Sequence, residues 1–185
     1  VVAENPARFA AVVVSNTALP TGEGKPSPAF EEWKRSNAAM IEQGDMPVGR
    51  LVAEFAGDPE LARAYDAPFP EPRYKAGPLI MPQRVPVTLD DPAREANLAA
   101  WAVFRTWEKP FVTAFGDSDP ITGGLDRAFQ EMIPGAKGQR HRTIAGAGHF
   151  IQETHAAPLA AVIVDVVKAL PRAGAAADPA AGRRN

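Results

Sequence analysis

The sequence contains no cysteine. That excludes disulfides, thiolate metal sites and cysteine nucleophiles together, and it leads us to expect a cytoplasmic protein. Histidine is scarce, with three in 185 residues, and tyrosine scarcer still, with two. Any imidazole chemistry therefore has few candidates to choose from. No apolar run reaches the roughly 18 residues of a membrane span. There is no charge excess of either sign, the formal net charge being -2. A basic footprint for nucleic acid or an anionic membrane is absent. The opening Val1-Val2-Ala3-Glu4-Asn5-Pro6 lacks an initiator methionine, a basic leader and a cleavage signal. We expect it to be the end of a helix cut open by truncation.

What is present describes a globular chain, 45% hydrophobic and 23% charged. Ala10-Ala11-Val12-Val13-Val14 is short, apolar and β-branched, and it suits a parallel strand covered on both faces. Eleven prolines then crowd the stretch from Leu19 to Val87, leaving room only for short helices, such as Phe30 to Ile41 and one opened by Asp58-Pro59-Glu60. A structureless loop of that length is improbable, so a helical cap is expected. Regularity returns with a helix from Asp91 to about Glu108, a strand Phe111–Phe115, a helix Asp126–Met132, a strand His141–Ile144 and a helix Ala160–Leu170. The alternation predicts an α/β fold, a parallel sheet with helical crossovers. Its expected divisions are core over 1–23, cap over 24–88, core over 89–170, and a disordered Ala/Gly/Pro tail over 171–185.

In open parallel sheets reactive groups lie past the carboxyl ends of strands. Three strand ends here deliver Asn16, Asp119 and His149. His149, in the small-residue turn Gly146-Ala147-Gly148-His149, is either a general base or a surface loop histidine. Asp119 is either its carboxylate partner or a turn former, and Asp117 is a rival two residues away. His141 and His155 are expected to be structural, and Trp101 and Trp107 to be packing residues. An acid followed by a histidine is the latter part of a triad in the order nucleophile, acid, base. No glycine-flanked nucleophile elbow precedes them in this sequence.

Several stretches together resemble haloalkane dehalogenases of the α/β-hydrolase superfamily. They are Ala3-Glu4-Asn5-Pro6-Ala7-Arg8-Phe9 with Val12–Thr17, Tyr65-Asp66-Ala67-Pro68-Phe69-Pro70 with Tyr74–Gly77, Asp117–Thr122, and Gly146–Glu153. The resemblance covers nearly everything from Val1 to Leu170 and corresponds to the C-terminal two-thirds of such an enzyme. It implies an α/β-hydrolase fold with an inserted helical cap. It further implies hydrolysis of a haloalkane to a primary alcohol, halide and proton through an alkyl ester on an aspartate.

Position by position, the resemblance makes Asp119 the catalytic acid, in the branch that places it after the later strand, and His149 the base. Trp33, in Phe30-Glu31-Glu32-Trp33-Lys34, matches a halide-binding indole, a donor-only group that steadies a leaving anion. Phe30 and Pro82 match apolar positions of the same pocket, and Asn16 is expected to bind within the site. Met81-Pro82 and Glu71-Pro72-Arg73 depart from the family's cap pattern. No cofactor and no metal is implied; the partners are a small haloalkane and a halide ion, and the full-length enzyme is expected to be a monomer. The nucleophile is expected outside these residues, which alone should be inactive. The alternatives are an epoxide or ester hydrolase with a similar cap, or a non-catalytic remnant.

Overall fold

The computed structural model describes residues 1–171. The disorder expected of the tail falls, beyond residue 171, outside the described residues. Residues 1–5 form a turn, closed by the Asn5 amide on the Val1 carbonyl at 3.1 Å. Pro6 offers no amide to extend it. A 3-10 turn, Pro6–Arg8, follows.

Strand β1 spans Val12–Val14. Four helices come next, the first the longest: α1 Pro28–Gln43, α2 Val48–Ala56, α3 Leu61–Asp66 and α4 Ala76–Ile80. The remainder is α5 Arg94–Phe104, β2 Phe111–Gly116, α6 Asp126–Met132, β3 Arg142–Ile144, α7 Ile151–Thr154 and α8 Ala156–Ala169. Helix α5 is shorter than the sequence suggests. The Asp91 carboxylate accepts from the Ala93 amide at 2.9 Å and bends the chain into a turn before the helix begins. Likewise α3 starts at Leu61, because Asp58 is spent on a turn with the Glu60 amide.

The strands form a parallel sheet in the order β1-β2-β3. β1 pairs with the first half of β2 (Val12 opposite Phe111), and β3 with the second half (Ala114 opposite Arg142). All six residues of β2 are buried. Alternation along it splits the core in two. Phe111 and Phe115 face an aromatic cluster of Trp101, Trp107 and Phe129, while Val112 and Ala114 face Ile144, Ile151 and Val162. Phe129 stacks between Trp101 and Phe111 at 5.5 and 5.7 Å. Burying each such ring contributes roughly 1.5–3 kcal/mol. Trp101 and Trp107 are thus packing residues.

His141 completes the sheet where β3 has not yet begun. Its Nδ1 accepts from the Thr113 amide at 3.1 Å, and its Nε2 lies 3.0 Å from the Ala136 carbonyl. The imidazole substitutes for a ladder partner.

The helical excursion leaves and rejoins the sheet at one point. Gly22 lies so close to Thr88 that a Cβ there would sit 2.0 Å from the Thr88 carbonyl oxygen. Nearby, Arg94, Asn97 and Trp101 of α5 donate to the carbonyls of Thr21, Pro20 and Leu19. Within the excursion, buried Asn37 on α1 donates to the Leu79 carbonyl at 2.9 Å and accepts from Gln83 at 2.8 Å. Gly49 lets α2 press against α3, its amide reaching Asp66 at 2.8 Å.

Candidate active site

The ends of all three strands converge on one polar cluster. His149 Nδ1 lies 3.0 Å from Asp119 Oδ2. The Asp119 side chain has no solvent exposure, whereas that of His149 is 27% exposed. One partner is therefore sealed and the other can meet a small molecule. Two further donors hold the carboxylate: the Ile121 amide on Oδ1 at 2.9 Å and the Thr122 hydroxyl on Oδ2. Burial pushes the Asp119 carboxyl up, and it is outweighed by the hydrogen bonds from Thr122, His149 and the Ile121 amide. The net effect holds it below the ordinary carboxylate value. An ionised Asp119 beside Nδ1 can stabilise an imidazolium and orient the ring so that Nε2 is free to accept a proton.

Asp117 is doing something else. It is exposed, and its Oδ1 accepts from the Gly146 amide at 2.7 Å and from Ser118 Oγ at 2.9 Å. It therefore ties the two loops together. The Ser118 amide adds a bond to the Ala147 carbonyl at 3.1 Å. Gly116 makes this stitching possible, since a Cβ there would lie 2.1 Å from the same carbonyl oxygen.

Asn16, expected to bind within the site, directs its amide at backbone of the histidine loop. Its Nδ2 donates to the carbonyls of Gly148 at 2.7 Å and His149 at 3.0 Å, and its Oδ1 accepts from the Gly116 amide at 2.8 Å. Both amide hydrogens are committed, leaving no donor for an anion. Asn16 also has a positive φ of 38°, a conformation that asparagine tolerates better than most side chains. It clamps the loop that carries His149.

Phe30 and Trp33 lie on α1, both half-buried. The 3-10 turn Met81–Arg84, which contains Pro82, packs against the same helix. Trp33 is linked to the histidine through aromatic contacts that the sequence did not announce. Its ring meets Phe55 edge-on at 6.5 Å, Phe55 meets Phe150 at 5.7 Å, and Phe150 meets His149 at 5.5 Å. The helical excursion is also fastened beside the polar pair. Tyr65 on α3 donates to Glu153 on α7, a bond that, together with burial, raises the phenol above its ordinary value.

Thr122, Ser27, Phe55 and Phe150 were not singled out by sequence reasoning. Only Thr122 carried a local signal, the spacing Asp119-Pro120-Ile121-Thr122, in which an aspartate finds donors two and three residues on. Among the described residues no group of histidines and carboxylates could hold a metal ion, and no helix is long and apolar enough to cross a membrane.

A parallel sheet flanked by helices, with an aspartate and a histidine meeting past its strand ends, defines an α/β-hydrolase fold. No family model matches the chain. It is 43% identical over 174 residues to a haloalkane dehalogenase of Psychrobacter cryohalolentis, covering 92% of this chain and 56% of that protein. It is 44% identical over 169 residues to one of Mycobacterium marinum, covering 89% and 55%. The tetrameric haloalkane dehalogenase DpaA of Paraglaciecola agarilytica NO2 superposes with a TM-score of 0.76 at 29% identity, over 94% of this chain and 56% of that one. Over the stretch they share, the sequence is similar to haloalkane dehalogenases. The chain spans a little over half the length of the relatives it matches.

Proposed function

We propose that the protein containing this chain hydrolyses small haloalkanes to an alcohol, a halide ion and a proton, with Asp119 and His149 as its acid and base. The observation carrying this is the 3.0 Å contact between His149 Nδ1 and a sealed Asp119 Oδ2, in a chain related to dehalogenases. In this reading a carboxylate elsewhere in the whole protein attacks carbon and expels the halide, forming an alkyl ester. His149 Nε2 then takes a proton from water, and the resulting hydroxide attacks the ester carbonyl and releases the alcohol. The proton leaves to solvent, and Asp119 steadies the imidazolium in between.

Trp33 is proposed as a halide donor, with Phe30 and Pro82 as the apolar walls that keep water from the leaving anion. Residues 24–88 are proposed as the cap. No cofactor enters this scheme. We assign the protein to the cytoplasm, and to a monomer; light scattering of the whole protein tests the latter against the tetrameric state of DpaA.

The tyrosines favour this over an epoxide hydrolase, which needs phenol donors aimed at the substrate oxygen. Tyr65 donates to Glu153, and Tyr74 is exposed beside Arg73. The test is halide release from 1,2-dibromoethane by the whole protein. We expect turnover that falls by about three orders of magnitude or more in His149→Ala. Bromide should quench tryptophan fluorescence, and Trp33→Phe should diminish that quenching. Epoxide or ester turnover without halide release would replace the proposal, and no turnover of any of the three would favour a non-catalytic remnant.

A further inference from the structure

We propose that Thr122 is a positioning residue for the acid–base pair: its hydroxyl pins Asp119 Oδ2 in line with His149 Nδ1. This rests on reading Asp119 and His149 as that pair.

Asp119 offers two oxygens, and each is anchored differently. The Ile121 amide reaches Oδ1 at 2.9 Å, a contact made along the local chain. Oδ2 accepts from both the Thr122 hydroxyl and His149 Nδ1. With Oδ1 alone held, the carboxylate can pivot about that contact and carry Oδ2 away from the ring. The Thr122 hydroxyl removes the freedom to pivot. No solvent reaches the Asp119 side chain, so water cannot take over the vacated bond.

Thr122 is itself held firmly enough to act as an anchor. It is buried, and it sits in a turn closed by the Gly123 amide on the Asp119 carbonyl at 3.1 Å and the Leu125 amide on its own carbonyl at 3.1 Å. A Cβ on Gly123 would approach the Asp119 carbonyl oxygen to 2.6 Å, which shows how tightly the turn is wound. The consequence falls on the histidine tautomer. An Oδ2 fixed as an acceptor selects the Nδ1–H form, which leaves the Nε2 lone pair facing outward as a base. Without the anchor, the alternative Nε2–H form gains population and the base is lost in proportion.

The experiment is NMR on the whole protein, labelled at histidine nitrogen and aspartate carboxyl carbon, comparing Thr122→Val, Thr122→Ala and Thr122→Ser. In Val and Ala we expect the His149 Nδ1–H resonance to weaken and move upfield, the nitrogen shifts to report more Nε2–H tautomer, and the Asp119 titration midpoint to rise. Ser, which keeps the hydroxyl, should retain the parent values. Parent-like spectra in folded Val and Ala would overturn the proposal. So would altered spectra in Ser, or unfolding of every variant lacking the hydroxyl, which would make Thr122 a purely structural residue. No substrate is involved, so absence of dehalogenase activity in the parent would count against the function alone.

Discussion

Ser27 caps the helix that carries Trp33 and, through the same hydroxyl, holds the carbonyl of Ile121. Its Oγ accepts from the Phe30 amide at 3.2 Å and donates to the Ile121 oxygen at 3.1 Å. The Ile121 amide in turn holds Asp119 Oδ1. One serine therefore connects the start of α1 to the loop of the proposed acid. We expect Ser27→Ala to lower stability by about 1 kcal/mol for the lost cap. Hydrogen exchange should also rise at the Ile121 amide, and chemical denaturation with exchange mass spectrometry reads both effects.

Asn16 separates two causes of instability. Alanine there abandons two carbonyls and one amide, and costs at least about 2 kcal/mol, since each buried unpaired group costs roughly 1–3 kcal/mol. Glycine abandons the same bonds but accepts the positive φ of 38° without strain. Asn16→Gly should therefore be more stable than Asn16→Ala by about 1 kcal/mol. Equal denaturation midpoints would show that strain at this position is negligible.

At Gly116 the limit is space. Gly116→Ala places a methyl 2.1 Å from the Ala147 carbonyl oxygen, a backbone atom that cannot rotate away. We expect a loss of about 1–3 kcal/mol, as for other overpacked sites. The loop bearing His149 must also shift, visible as a changed His149 ring resonance. A variant with unchanged melting and unchanged resonance would contradict the close approach.

Acid stability should depend on Asp119. Its folded-state pKa lies below the ordinary value of 3.8, so the native state binds fewer protons than the unfolded chain in that range. The stabilisation is present above 3.8 and is lost as pH falls through the lower folded value. Asp119→Asn should therefore flatten the stability curve between about pH 5 and pH 3, relative to the parent. Urea midpoints across that range test the sign; an equally steep fall in the variant would place the titrating carboxylates elsewhere.

Much of the frame was legible because it depends on local chemistry. The helix holding Asp126 to Met132 was expected to end before Pro134, and it does. The first two strands were recognisable as apolar runs between turns, and the third, polar at its start, by the glycine-rich turn that follows it. Helix starts were less legible: Asp58 and Asp91 resemble caps in sequence, but their carboxylates close turns that precede the first helical residue. Asp117 and Asp119 could not be separated by sequence spacing, because both follow the same strand. Burial separates them, one facing solvent and the other sealed beneath the histidine.

The sequence by itself determined that a parallel sheet presents Asn16, Asp119 and His149 at its strand ends, and it carried the resemblance to dehalogenases. Tertiary structure decided what each of those ends does. Asp119 and His149 lie 30 positions apart, and Asn16 lies 132 from Gly148. Side chains so distant meet only through strand pairing and loop packing. That is why the Asn16 amide, read from sequence as a ligand group, is committed to backbone. The same reason hides the two ties of the helical excursion, Ser27 to Ile121 and Tyr65 to Glu153. They join segments whose proximity no local pattern records.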